Sequence, residues 1–106
     1  DFEYYLGQGD SEVANAYGKA VARSLRQKSF QLYAQGQLGG AIDRFEEMET
    51  IYKKIGYTSG LVPVYFSLGL LYEEKGDTSK AEIFFNRVLT INPKHLQAKD
   101  RLDRLQ

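Results

Sequence analysis

Few side chains in this sequence are of types that could perform catalysis or hold a metal. His95 is the one histidine of the chain, and there is no cysteine. A catalytic or metal-binding imidazole needs a second histidine, a thiolate or a positioned carboxylate as its partner. No motif supplies one, and no motif places a histidine base beside a serine. We therefore expect His95 to be a solvated surface residue, and we expect no catalytic residue, no metal site and no cofactor.

A group of acidic side chains is the second candidate for chemistry. Three of the four share one face of a helix that begins near residue 39, opposite Phe45 and Met48. Clustered carboxylates can bind a cation or form a general acid–base pair. The same spacing is also typical of a solvated helix face, which is the interpretation we favour. The four residues are Asp43, Glu46, Glu47 and Glu49.

The composition excludes several other classes of protein. Lys and Arg number 14 in the 106 residues and are balanced by 14 Asp and Glu. Zero net charge argues against bulk attraction to nucleic acid or to an anionic membrane, so we expect neither as a partner. The apolar runs are too short to span a bilayer. The sequence does not determine the compartment. We favour the cytoplasm, and because the chain starts at Asp1 we expect a leader or an upstream region to be missing.

Apolar residues recur every three or four positions between clusters of glycine, which predicts an all-α chain. No stretch shows the period-two alternation of a strand. We expect the first helix to be either continuous or kinked near Gly18, and we expect Pro63 to fall early in its helix, where a missing N–H costs little. One such apolar stripe is Ile42, Phe45, Met48 and Tyr52. The predicted elements are a fragment or short turn at 2–8 and helices near 11–35, 39–55, 60–75, 78–91 and 93–105.

The ends of these helices carry recognisable signals. Gly36 and Gly76 stand where a helix terminus needs a left-handed residue. Asp77 or Thr78 is predicted to cap the helix that follows. Asn92-Pro93 predicts an N-cap followed by proline at the first helical position.

The chain repeats itself after 40 residues. This shift superposes Gly36 on Gly76, Ala41 on Ala81 and Phe45 on Phe85. Each unit is a helix, a short turn with glycine and a second helix. A unit of this kind cannot bury its own apolar face and must stack on a neighbour.

The second unit carries a specific pattern. It reads Tyr65-x-x-Leu68-Gly69-x-x-Tyr72, Gly76-Asp77, Ala81-x-x-x-Phe85-x-x-Val88 and Pro93. This pattern resembles the tetratricopeptide repeat, with Tyr65 in place of the usual Trp and Val88 in place of the usual Ala. The resemblance extends over residues 22–93, although Lys28 and Ser29 replace the leucine and glycine of the first unit.

The resemblance implies an all-α fold of antiparallel helix-turn-helix repeats. These would stack as a short right-handed α-solenoid with a C-terminal capping helix. We expect one domain, part of a larger protein. Its parts would be an N-terminal helical segment at 1–21, the remnant of an upstream repeat, a degenerate long unit at 22–61, a second unit at 62–93 and the capping helix at 94–106.

In this family the first helix of each unit lines a concave groove. The residues of these helices that the core pattern does not use would line the groove. They form a basic end, an apolar middle and an acidic end. In the alternative arrangement, the long helix 11–35 packs into the groove and covers it. We expect no two-carboxylate clamp of the family's kind, because apolar side chains occupy the clamp positions. The expected groove residues are Arg23, Arg26, Phe30, Tyr33, Phe66, Leu70 and Glu73.

The leading functional prediction is a non-enzymatic protein–protein interaction module. Its groove would bind a partner peptide or protein, with aromatic side chains supplying affinity and the arginines selecting an acidic group. The alternative is a self-assembling structural domain that forms homo-oligomers. RNA binding along a basic face is the least favoured alternative. That face consists of Lys19, Arg23, Arg26 and Lys28.

Overall fold

The computed structural model describes residues 11–105, and this part of the chain is helical with no strand. Each helix packs against the helix that precedes or follows it in the chain. The all-α arrangement of helical hairpins is therefore confirmed, while the right-handed curvature of the stack remains a prediction. The helices are α1 (Ser11–Ala34), α2 (Leu38–Lys54), α3 (Thr58–Lys75), α4 (Thr78–Ile91) and α5 (Leu96–Leu105).

The first three turns between helices share one geometry. A glycine with positive φ ends each helix, and the N–H of the next residue donates to the carbonyl five residues earlier, at 2.9 Å in every case. Glycine adopts this left-handed conformation without the steric cost that a Cβ brings. The expected roles of Gly36 and Gly76 are confirmed, and Gly56 has the same role. The three bonds run from Gln37 to Leu32, from Tyr57 to Tyr52 and from Asp77 to Tyr72.

The core lies between consecutive helices. The apolar stripe predicted for α2 is buried, and the largest fully buried side chains are contributed by α2, α3 and α4. Alanines are fully buried where neighbouring helices approach closely, as at Ala22, Ala41 and Ala81. The largest apolar side chains that are fully buried are Phe85, Met48, Leu68, Val64 and Val88.

The closest helix approach in the second unit is at Gly69. A Cβ on this residue would lie 2.5 Å from Cε1 of Phe85. In the first unit the equivalent residue is Ser29, which is fully buried and donates its hydroxyl to the Ala41 carbonyl at 2.9 Å. The helix crossing therefore differs between the two units. In the second unit an aromatic ring packs against the backbone of a glycine, and in the first unit a buried hydrogen bond joins the two helices.

Two helices can be compared directly with their predicted forms. The first helix is continuous from Ser11 to Ala34, which is one of the two forms expected, and it is not interrupted at Gly18. Helix α3 begins two residues before the predicted start, so Pro63 is its sixth residue rather than part of its first turn. Proline at that depth removes one helical hydrogen bond. The short turn predicted at 2–8 lies outside the described residues.

The start of α5 also differs from the prediction. Asn92 ends α4, and its side chain accepts the Lys94 N–H at 3.2 Å instead of capping a helix. His95 is the residue that caps α5, because its Nδ1 accepts the Ala98 N–H at 3.1 Å. The prediction that His95 is a solvated surface residue is therefore wrong. Its ring is half-buried, 5.1 Å from the ring of Phe66.

Candidate peptide-binding groove

A cavity of about 210 Å³ opens between α1 and α3. We call it the anchor cavity. It is smaller than the roughly 300–1,000 Å³ of typical small-molecule pockets, so its size suits one inserted side chain. The buried Ser29 and Phe45 close its base, whereas Phe30 and Tyr33 are 57% and 44% exposed at its rim. The remaining wall is contributed by α3 through Ser67, Leu70, Leu71 and Glu74.

The helix crossings of the two units differ beside the anchor cavity. In the second unit the ring of Phe85 lies against Gly69. Ser29 occupies the equivalent place in the first unit and lines the cavity. Phe45 packs edge-on against Phe30, with centroids 6.2 Å apart and planes at 78°, and it also lines the cavity.

Tyr33 links the two walls of the groove. Its hydroxyl donates to Oε2 of Glu74 at 2.8 Å, a contact that joins α1 to α3. The hydrogen bond and the negative charge of Glu74 both disfavour the tyrosinate, and they raise the pKa of Tyr33. The ring of Tyr33 is thus held at the rim of the cavity, next to a carboxylate.

A second, more polar cavity adjoins the first and is lined by Tyr33, Leu70, Glu73, Glu74 and Arg101. We call this second cavity the acidic end. Its charged side chains are Glu73, Glu74 and Arg101. Arg101 donates from Nη1 to Oε2 of Glu73 at 3.3 Å, which ties α5 to α3. The other oxygen of Glu73, Oε1, is buried without a hydrogen-bond partner among the described residues.

The structure brings together some of the predicted groove residues. Phe30, Tyr33 and Leu70 line the anchor cavity, and Phe30 and Leu70 occupy equivalent positions in the two units. Glu73 lies in the adjoining acidic end. The alternative in which the long first helix covers the groove does not describe this arrangement, because α1 forms one wall of the cavity.

The other predicted groove residues lie elsewhere. Phe66 does not line the anchor cavity, because its half-buried ring packs between those of Phe85 and His95, at 5.6 and 5.1 Å. Arg23 and Arg26 line neither cavity. They lie one to two turns before Phe30 on α1, so the basic end is separate from the cavity.

Sequence reasoning missed Arg101 and Phe45 as groove residues. Arg101 belongs to the last helix and lies 28 residues from its carboxylate, so no local pattern could have revealed the pair. Phe45 belongs to the apolar stripe of α2, which assigned it to the core.

Two members of the acidic group on α2, Glu47 and Glu49, engage in ion pairs. Glu47 lies 2.6 Å from Arg44, and Glu49 lies 3.1 Å from Lys53 and 3.8 Å from Arg87 of α4. Within residues 11–105, no three acidic or histidine side chains are placed to hold a metal ion. Over the same range, no helix has the length and apolar character that a bilayer crossing requires.

Comparison with protein-family models gives a match within the second unit. No curated protein matches the chain at a significant level. Residues 62–95 match the family model of the tetratricopeptide repeat, whose members generally act as protein-interaction scaffolds rather than catalysts. The matched segment covers most of α3, the left-handed turn at Gly76 and the whole of α4. Residues 62–95 of the chain therefore form a tetratricopeptide repeat.

Proposed function

We propose that this chain is a non-catalytic binding module that holds a segment of a partner protein in the groove between α1 and α3. The observation that carries the proposal is the anchor cavity. It is predominantly apolar, it is open to solvent, and an exposed phenylalanine stands at its rim. Exposed apolar surface of this kind marks interaction sites in proteins.

The apolar side chain of a partner would contact Phe30, Tyr33 and Leu70 at once. Full burial of one Leu or Phe side chain contributes roughly 1.5–3 kcal/mol, which makes one inserted residue an effective anchor. Aromatic residues at the centre of an interface are also the usual hot spots. Arg23 and Arg26 would meet the partner outside the cavity, one or two helical turns along α1.

The absence of tryptophan from the chain provides a direct assay. The variant Phe30→Trp places a single indole at the rim of the cavity. Peptides are selected from a random library displayed on phage and are then titrated against this variant. We expect the indole emission to shift to shorter wavelength on binding, because an inserted side chain removes water from the ring.

Alanine variants test which surface is used. We expect Phe30→Ala and Leu70→Ala to weaken binding of the selected peptides at least about fivefold, as for interface hot spots. Ile83→Ala is the matched control, because Ile83 is 49% exposed on α4 and does not line the groove. Equal affinity of all three variants and the parent chain would refute the groove as the binding site.

Self-assembly remains the second candidate function, and Leu96 is the observation that favours it. This apolar residue is 76% exposed at the start of α5. Sedimentation velocity over a hundredfold range of concentration tests this function. Association that Leu96→Ala abolishes would support it, and a monomer at every concentration would exclude it.

A further inference from the structure

We propose that the partner segment carries a lysine or arginine beside its apolar anchor, and that Glu74 is the residue that selects this cation. The inference rests on the proposed function, since it concerns the occupant of the same groove. It differs from the sequence-based prediction that the arginines of α1 select an acidic group.

The first argument is contiguity. Tyr33, Leu70 and Glu74 line both the anchor cavity and the acidic end, so the two spaces share a wall. Leu70 and Glu74 are four residues apart on α3 and therefore lie on the same face, one turn from each other. A side chain inserted against Leu70 brings the neighbouring residues of its own chain next to the carboxylate of Glu74.

The second argument is the balance of charge. Glu73 is paired with Arg101, but no cation among the described residues lies within ion-pair distance of Glu74. The partner of Glu74 is the hydroxyl of Tyr33, a neutral donor that leaves the negative charge uncompensated. The acidic end therefore has a net charge of −1 and attracts a cation.

The third argument is the supply of acceptors. Oε1 of Glu73 is buried and has no hydrogen-bond partner among the described residues. A buried acceptor without a donor is destabilising, and a charged donor satisfies it best. An ammonium or guanidinium group entering the acidic end would meet a cavity lined by both Glu73 and Glu74, whereas an acidic side chain would be repelled by them.

The arginines of α1 do not compete with this assignment. Arg23 and Arg26 line neither cavity, so they do not set the charge next to the anchor. The groove thus presents an apolar cavity immediately followed by an acidic end. Its complement is a peptide in which a bulky apolar residue has Lys or Arg within a few positions on either side.

The variant Glu74→Gln tests the negative charge of Glu74 separately from its hydrogen bond to Tyr33. The amide oxygen of glutamine still accepts the Tyr33 hydroxyl, so the link between α1 and α3 is retained while the negative charge is removed. Glu46→Gln is the matched control. Glu46 is an exposed glutamate on α2 that lines neither cavity, and its replacement changes the net charge by the same amount.

The experiment selects random twelve-residue peptides on phage against the parent chain, Glu74→Gln and Glu46→Gln. We expect the parent and the control to enrich peptides with a bulky apolar residue and, within a few positions on either side of it, Lys or Arg. We expect Glu74→Gln to retain the apolar preference and lose the basic one. In anisotropy titrations at low salt, the basic peptides should bind Glu74→Gln about two- to fivefold more weakly, the range for a partly exposed ion pair.

The outcomes separate this inference from the proposed function. Selected peptides without a basic preference, or an equal basic preference in Glu74→Gln, would overturn the role of Glu74. If such peptides still lose affinity for Phe30→Ala, the groove function stands and only the cation selection fails. If no peptide is enriched above an empty resin, or none depends on Phe30 or Leu70, both proposals fail.

Discussion

Gly69→Ala places one methyl group at the tightest helix crossing of the second unit. The new Cβ would lie 2.5, 2.7 and 2.8 Å from three ring atoms of Phe85. Ordinary van der Waals contact begins at about 3.4 Å, so the ring has to retreat by roughly 1 Å. Phe85 is fully buried and packs against Phe66, which leaves it no free space to enter.

Two opposed effects set the size of the change. Overpacking of a well-filled core costs about 1–3 kcal/mol, and a displacement of this size in a fully buried ring belongs at the upper end. Replacing glycine by alanine inside a helix contributes about 1 kcal/mol in the other direction. The expected net loss in the free energy of unfolding is about 2 kcal/mol, which corresponds to a fall in Tm of roughly 10 °C for a domain of this size.

Urea denaturation followed by circular dichroism measures this loss. We expect a lower midpoint with an unchanged m-value, because the unfolded surface area is the same. Gly39→Ala is the control, since nothing lies within 4 Å of an added Cβ at that position, and it should be at least as stable as the parent. The double variant Gly69→Ala/Phe85→Leu should be more stable than additivity predicts. Full stability of Gly69→Ala, or strict additivity in the double variant, would refute the reasoning.

Two further predictions concern a helix cap and the tyrosines. Asp77→Ala removes the side-chain acceptor of a first-turn N–H of α4 and should lower the free energy of unfolding by about 1 kcal/mol, measured by urea denaturation. Titration at 295 nm, with Tyr33→Phe subtracted, should give Tyr33 a pKa above its ordinary value, which Glu74→Gln lowers. Burial raises the pKa of Tyr65 and of Tyr72 as well. The stability that these raised pKa values contribute is complete below the ordinary tyrosine pKa, and it is lost as pH rises through the pKa values of the folded state.

Each of these predictions has its own control. Asp103→Ala removes the same charge from an exposed site on α5 and should leave the urea midpoint nearly unchanged. An equal shift in both aspartate variants would show that charge, rather than the cap, is responsible. For the titration, a Tyr33 pKa at its ordinary value, or one insensitive to Glu74→Gln, would contradict the hydrogen bond across the groove.

Local signals made much of the fold predictable. A left-handed turn after a helix favours glycine for local steric reasons, so Gly36 and Gly76 mark helix ends wherever the helices then pack. The same is true of Asp77, whose side chain reaches only the next turn, and the predicted range 78–91 of α4 matches the structure. The pattern from Tyr65 to Pro93 identified the repeat because the residues at a close helix crossing are restricted in size.

Contacts between distant residues account for what the sequence did not reveal. The local sequence Asn92-Pro93 is typical of a helix start, yet α5 begins later. His95 caps α5, and the ring of His95 packs on Phe66. The same packing removes Phe66 from the groove to which its position on the helix had assigned it. The pairing of Arg101 with Glu73 is likewise tertiary, so the acidic end could be predicted only as an isolated pair of glutamates.

The packing of each helix on its neighbours in the chain has a consequence for how the domain folds and opens. Closing short loops costs little entropy, so we expect folding in microseconds to milliseconds, as in other helical domains with local contacts. Helix α5 packs mainly on α4, and its amide hydrogens should exchange with solvent before those of α3. Because α5 carries Arg101, each opening leaves Glu73 without its cation. A basic ligand that binds the acidic end would therefore change the exchange rate of a helix outside the anchor cavity.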